Sequence, residues 1–185
     1  METIIVARWQ GWSGKGIEHT VLRCTDNSNS ADGVVIGIAE GENFAATYQI
    51  RCNASWTPEH ASVEIVGERR QAEFASNGRG QWTDGSGNAL PALDGAIDID
   101  LSVSPVTNTL PIRRLNLTKG SSAEIRVAYV HFPDLAIVCD PQRYTCLELL
   151  RRYRYESLDS DFVREIEVDE NGRVVTYPGL FKRLV

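Results

Sequence analysis

Residues 43–52 read NFAATYQIRC, and the alternation in this stretch decides the fold. Phe44, Ala46, Tyr48, Ile50 and Cys52 fall on one parity, and Thr47, Gln49 and Arg51 on the other. Successive side chains of a strand point to opposite faces, so this pattern is a strand with one buried side. Working outward, residues 97–104 (IDIDLSVS) repeat it. Ile97, Ile99, Leu101 and Val103 face one way, and Asp98, Asp100, Ser102 and Ser104 the other. EIRVAYVHF places Ile125, Val127 and Tyr129 on one face, and ASVEIVG, DLAIVCD and EIEVDENGRVVTYP read in the same manner. Turn chemistry separates the runs. Asp32-Gly33, Asn77-Gly78, Asp84-Gly85 and Asn171-Gly172 are sites where a positive φ costs little.

The expectation is an all-β chain, one domain over residues 1–185, folded as an antiparallel meander of about 12 to 15 strands. So many strands avoid bare edges by curling into a barrel or half-barrel around a cavity. Ala46, Ala128 and Ala136, read as inward, leave room in it. The segment CLELLRRYRYES is the one helix candidate, but Tyr153 and Tyr155 alternate, so a strand fits at least as well. The 185-residue length allows roughly 70% of the unfolded surface to be buried without staples.

The net charge of -6 disfavours nucleic acid and anionic membrane surfaces as partners. No run approaches the ~20 apolar residues of a membrane span. The N-terminal METIIVARWQGW lacks the layout of a signal peptide, which gives the expectation of a cytoplasmic protein. Cys24, Cys52, Cys139 and Cys146 include no C-x-x-C pair. They read as free thiols, although a hairpin at Pro141-Gln142 would bring Cys139 near Cys146.

Catalytic and cofactor signatures are sparse. His19, His60 and His131 are the only histidines, and no G-x-S-x-G elbow, H-E-x-x-H helix, EF-hand loop or P-loop occurs. No catalytic residue, metal or cofactor is therefore assigned. Asp98 and Asp100 lie two residues apart, about 7 Å along a strand face, compatible with acid-base work. They read equally as a solvated face. His131 with Cys139 is most simply an ordinary strand histidine and a buried thiol.

Trp9, Trp12, Trp56 and Trp82 and the tyrosines of the last third suit either core filling or the stacking of sugar rings and acyl chains. In SPVTNTLPIRRLNL, residues 104–117, Thr107, Asn108 and Thr109 are bracketed by Pro105 and Pro111. That excludes a regular central strand and reads as a barrel-corner turn. Arg113 and Arg114 then fall on opposite faces of a following strand. The inward guanidinium needs an acceptor, either Asp98, Asp100 or a ligand oxygen.

TNTLPIRRL at 107–115, together with QRYT, YPGLFKRL, FAATYQIRCNASW and an early tryptophan followed by Gly16, Glu18 and His19, resembles the bacterial family named putative glycolipid-binding proteins, formerly a domain of unknown function. Val106 stands where that pattern has an aromatic residue. The resemblance implies a fold like the periplasmic lipoprotein carriers, a curved sheet forming an open barrel around an apolar cavity.

Two functional readings follow. In the first, the domain binds a glycolipid or another amphipathic small molecule. Asn108, Arg113, Arg114, Gln142, Arg143 and Tyr144 form its polar mouth, joined by Asp100 if the interior is polar, and Trp9, Trp12, Tyr153 and Tyr177 form its walls. The second is a hydrolase or isomerase on a small sugar-containing or amphiphilic substrate, with Asp98 or Asp100 as base and Arg113 or Arg114 stabilising negative charge. It requires those four residues to converge in a cleft.

Overall fold

The computed structural model describes all of residues 1–185. Its strands are β1 (Thr3–Gly11), β2 (Ile17–Cys24), β3 (Ser28–Ala39), β4 (Glu42–Asn53), β5 (Pro58–Ile65), β6 (Gln71–Ser76), β7 (Trp82–Asp84), β8 (Asp98–Leu101), β9 (Ser122–Val130), β10 (Ile137–Glu148), β11 (Arg152–Ser157), β12 (Val163–Val168), β13 (Val174–Tyr177) and β14 (Phe181–Arg183). One helix, α1 (Val106–Leu115), and a 3-10 turn at Pro91–Leu93 complete the secondary structure. All 14 strands form one sheet in the order β7-β6-β5-β4-β3-β2-β1-β14-β13-β12-β11-β10-β9-β8. Every pairing is antiparallel except β8 on β9, which is parallel. The all-β meander read from the alternation is the fold.

The sheet remains open but curls, and residues from both edges share one apolar core. Trp82 of β7, Ile99 of β8 and Trp9 of β1 belong to the same buried cluster. The segment joining the two edge strands spans the gap. Its Ala96 carbonyl accepts the Trp82 indole N–H at 2.7 Å, and Gly95 N–H donates to the Gly80 carbonyl at 2.8 Å. The backbones are so close there that a Cβ on Gly80 would stand 2.8 Å from the Gly95 Cα.

Alternation is kept across strands because pairing aligns parity. Trp9 faces Glu18 across β1–β2, Glu18 faces Val35, Val35 faces Ala46, and Ala46 faces Ile65, all on the inner face. Phe44, Ala46, Tyr48, Ile50 and Cys52 are buried as their spacing requires. Ala128 is buried too, whereas Ala136 is exposed in the loop before β10 and makes no room inside.

Several local expectations need correction. Asp32-Gly33 is not a turn. It runs through the middle of β3, where Gly33 pairs with Tyr48. Asn77-Gly78 and Asn171-Gly172 are turns, with Gly78 at φ 70° and Gly172 at φ 76°. Pro141 does not break the chain either, since β10 passes through it. Cys139 and Cys146 thus lie seven residues apart in one strand, about 23 Å at the usual rise, and all four cysteines are free. CLELLRRYRYES is the end of β10, a turn, and β11.

The proline-bracketed stretch is helix α1, not a corner turn followed by a strand. Pro105 takes the N-cap position at φ -73°, where its missing N–H costs nothing, and Asn116 ends the helix in the left-handed conformation at φ 44°. Pro111 lies inside and withholds one helical N–H. Two prolines and the β-branched Val106, Thr107 and Thr109 make this a poor helix by propensity. Its surroundings hold it. Val106 and Leu110 pack into the larger apolar cluster and Ile112 into a second one around Tyr144, Tyr153, Tyr155, Ile166 and Tyr177, so α1 lies between the two halves of the curled sheet.

Candidate functional site

The polar residues singled out from the sequence converge on α1 and fasten it. Asn108 donates to the Tyr144 hydroxyl at 2.8 Å, and both residues are buried. Asp100 accepts from the Thr107 hydroxyl at 2.7 Å and from the Gln142 amide at 3.0 Å, and that amide also reaches Asp140 at 2.9 Å. Arg114 grips both oxygens of fully buried Asp98 at 2.9 and 2.5 Å. The inward arginine with a carboxylate acceptor is therefore present, carried by a helix. Burial raises the pKa of Asp98 and Asp100 above the usual carboxylate range, and their hydrogen bonds to Arg114 and to Thr107 and Gln142 oppose it.

The remaining expected residues disperse. The Arg113 guanidinium lies over the Trp56 ring, 5.6 Å from its centroid. Arg143 pairs with Glu124 and Glu156 at the surface. Tyr153 and Tyr177 are buried in the second apolar cluster. The four residues of the acid-base reading do not all converge: Asp98 and Arg114 bond each other, while Asp100 is committed to Thr107 and Gln142, and Arg113 to Trp56.

Trp9 and Trp12 border a cavity of about 420 Å³ between the inner face of β1–β3, the end of β9 and the turn before β14. Thirteen of its 23 lining residues are hydrophobic, among them Phe44, Val103, Phe132 and Phe181. The volume lies within the roughly 300–1,000 Å³ of small-molecule sites. Its two ends differ. Trp9, Phe44, Phe132 and Glu18 are buried, whereas Trp12, Ile36, Ile38 and Leu180 are exposed and mark the rim. Tyr129 and His131 stack edge to face on one wall, centroids 4.8 Å apart. A wider groove of about 970 Å³ crosses the opposite, solvent-facing side of β2–β7 and is bordered by Asp32, Glu64, Glu73 and Asp84.

Glu18 is the polar group of the cavity's inner end. It is 2% exposed, on the core face of β2 between Trp9 and Val35. Its Oε1 accepts from Ser104 Oγ at 2.5 Å, from Thr20 Oγ1 at 2.9 Å and from the Tyr48 hydroxyl. Ser104 also accepts the Val106 N–H at 3.3 Å, which ties the start of α1 to this carboxyl. Glu18 Oε2 is buried and has no partner. Burial pushes the Glu18 pKa up to about 7, against the lowering effect of the Ser104, Tyr48 and Thr20 hydrogen bonds. The sequence reading passed over Glu18 as a site. The signal is its parity in IEHTVLRC: Glu18 shares a face with Thr20 and Leu22, and a carboxylate on the core face of a strand demands a reason.

No curated protein matches the chain. A crystal structure at 1.80 Å of a DUF1089 family protein from Pseudomonas aeruginosa is similar, with 41% sequence identity, 92% of each chain covered and a TM-score of 0.83. The family model described as "Putative glycolipid-binding" matches residues 6–183. From β1 to the last strand, then, the chain belongs to the putative glycolipid-binding family.

Proposed function

We propose that this domain binds an amphipathic small molecule, a glycolipid or a related amphiphile, in the cavity between β1–β3 and β9. The observation that carries the reading is the 420 Å³ space itself, walled by aromatic side chains, open at an apolar rim and containing one buried carboxyl. In this reading Trp9 and Trp12, which line the cavity, serve as its walls. Asn108, Gln142, Tyr144, Asp100 and Arg114 serve the site by fixing α1, whose first turn holds Ser104 against Glu18. Membership of the family supports a binding role.

The same reading places the protein in the cytosol of a bacterium. Its four unpaired cysteines suit a reducing compartment.

The test is to incubate the purified protein with a bacterial lipid extract, remove free lipid, and record native mass spectra. A bound amphiphile that is lost on filling the cavity with Val35→Trp is the expected result. Failure to retain any amphiphile at micromolar protein would overturn the proposal.

A further inference from the structure

We infer that the cavity takes its ligand polar end first: a hydroxyl or ammonium group of the head donates a hydrogen bond to Glu18 Oε2, and the apolar tail runs outward to the rim. This rests on the binding reading above and adds an orientation and a head-group chemistry to it.

The two oxygens of Glu18 have different surroundings. Ser104, Thr20 and Tyr48 all bond to Oε1, and none of the three lines the cavity, whereas Glu18 does. Oε1 therefore faces the packing around α1, and Oε2 is the oxygen left to the cavity. It is buried and unpartnered, a costly state for a polar atom that a donor from a ligand relieves. With three hydroxyls fixing Oε1, the carboxyl cannot swing away to find a substitute partner. It is held in one orientation before any ligand arrives, which lowers the cost of binding.

The outer end has the opposite character. Trp12, Ile36, Ile38 and Leu180 are exposed apolar side chains around the opening. An acyl tail gains contact there, whereas a sugar inserted no deeper than the rim would leave Oε2 unsatisfied. Lys15 and Glu40 are charged groups that line the cavity with exposed side chains, and they carry opposite signs. His131 and Tyr129 stand on the β9 side, with Tyr129 pushed up to about 12 by burial first and by Asp100 and Asp140 next, so it stays a neutral hydroxyl. Above pH 7, where Glu18 is ionised, a carboxylate or phosphate head would meet its negative charge directly and is rejected.

The test uses three probes with the same eight-carbon tail: octyl glucoside, octylamine and octanoate. Binding is read at pH 8, above the raised Glu18 pKa, by calorimetry on the wild type and on Glu18→Gln. The wild type is expected to bind octyl glucoside and octylamine about ten-fold or more tighter than octanoate, the scale of a hydrogen bond to a charged group. In Glu18→Gln, the three hydroxyls keep the amide oxygen at the Oε1 position and turn its NH₂ toward the cavity. The order should invert, with octylamine weakened about ten-fold and octanoate strengthened.

Wild-type binding of all three probes with equal affinity overturns the head-first orientation and leaves the binding reading standing. So does a Glu18→Gln protein whose preferences match the wild type. Absence of binding by any probe to the wild type overturns both. The wild-type comparison decides the orientation by itself if the variant does not fold.

Discussion

Gly33 lies directly beneath the ring of Tyr48: a Cβ built on Gly33 would stand 2.2 Å from Tyr48 Cζ and 2.4 Å from its hydroxyl oxygen. The two residues are cross-strand partners in β3 and β4. The bare glycine lets the phenol lie flat on the sheet and reach Glu18. Gly33→Ala is expected to lower stability by about 1–3 kcal/mol through overpacking. In the background of Tyr48→Leu the same substitution should cost much less. Urea midpoints of the two single variants and the double variant check this, and simple additivity would contradict the contact.

Burial raises the Glu18 pKa from an ordinary 4.5 to about 7, so the folded protein holds this proton more tightly than the unfolded chain does. Below pH 4.5 both states are protonated and the group contributes no pH dependence. Between 4.5 and 7 the unfolded chain releases its proton first, so stability falls as pH rises, on the order of 3 kcal/mol across the window. Asp98 and Asp100 are shifted in the same direction and add slope of the same sign. The Glu18→Gln variant should therefore lose less stability than the wild type between pH 5 and pH 8, as measured by denaturation at each pH.

The Asp98–Arg114 pair is a second buried charged site. Removing only the arginine, as in Arg114→Met, strands a carboxylate with no exposed surface and should cost about 3–5 kcal/mol at neutral pH. The double variant Asp98→Asn, Arg114→Met should recover a good part of that loss. By contrast Arg113→Ala gives up a cation–π contact with Trp56 and should cost about 0.5–1 kcal/mol. Thermal melts of the four proteins separate these cases.

Trp12 is half exposed at the cavity rim and absent from the buried core. Trp12→Ala should shift the melting temperature little while weakening octyl glucoside binding several-fold, because the tail loses an aromatic wall worth about 1 kcal/mol. An unchanged affinity would show that the tail does not leave by that side.

Thiol labelling should fall into two classes. Cys24 and Cys139 are partly accessible and Cys52 and Cys146 are buried. A native protein should react at two thiols and reveal the other two only on unfolding, with no intrachain disulfide after mild oxidation.

Strand number, parity and inner face were readable because the repeat of two is local and each strand restates it. The Glu18-bearing stretch IEHTVLRC alternates in the same way, although it is not among the runs quoted above, and its carboxylate stands on the core parity. Asp32-Gly33 misled because the dipeptide rule concerns backbone freedom, whereas here the glycine is needed for the space a distant tyrosine fills. Helix α1 was hidden for a different reason. Pro105 caps residues 106–115, which contain Pro111 and four β-branched side chains, and what holds them helical is Asp98, Asp100, Gln142 and Tyr144 on β8 and β10. Those partners are set by tertiary placement, which a local pattern does not encode. The cavity was expected, but its position was not. Of the residues read as its mouth, Asn108, Arg114, Gln142 and Tyr144 hold the helix, and none of them lines the space that Trp9, Trp12 and Glu18 border.

The sheet order places the two chain ends at neighbouring positions in mid-sheet, since β1 pairs with β14 and the Arg8 carbonyl accepts the Leu184 N–H at 2.7 Å. Elsewhere each strand lies beside its neighbour in sequence. The protein is therefore, topologically, a circular permutation of a plain linear ribbon. Fusing the ends and reopening the chain between β7 and β8 would yield a protein whose spatial order equals its sequence order, with its one distant strand pairing turned into a hairpin. Such a permutant should fold faster at equal stability, since the closure that now waits on the two ends meeting would become local.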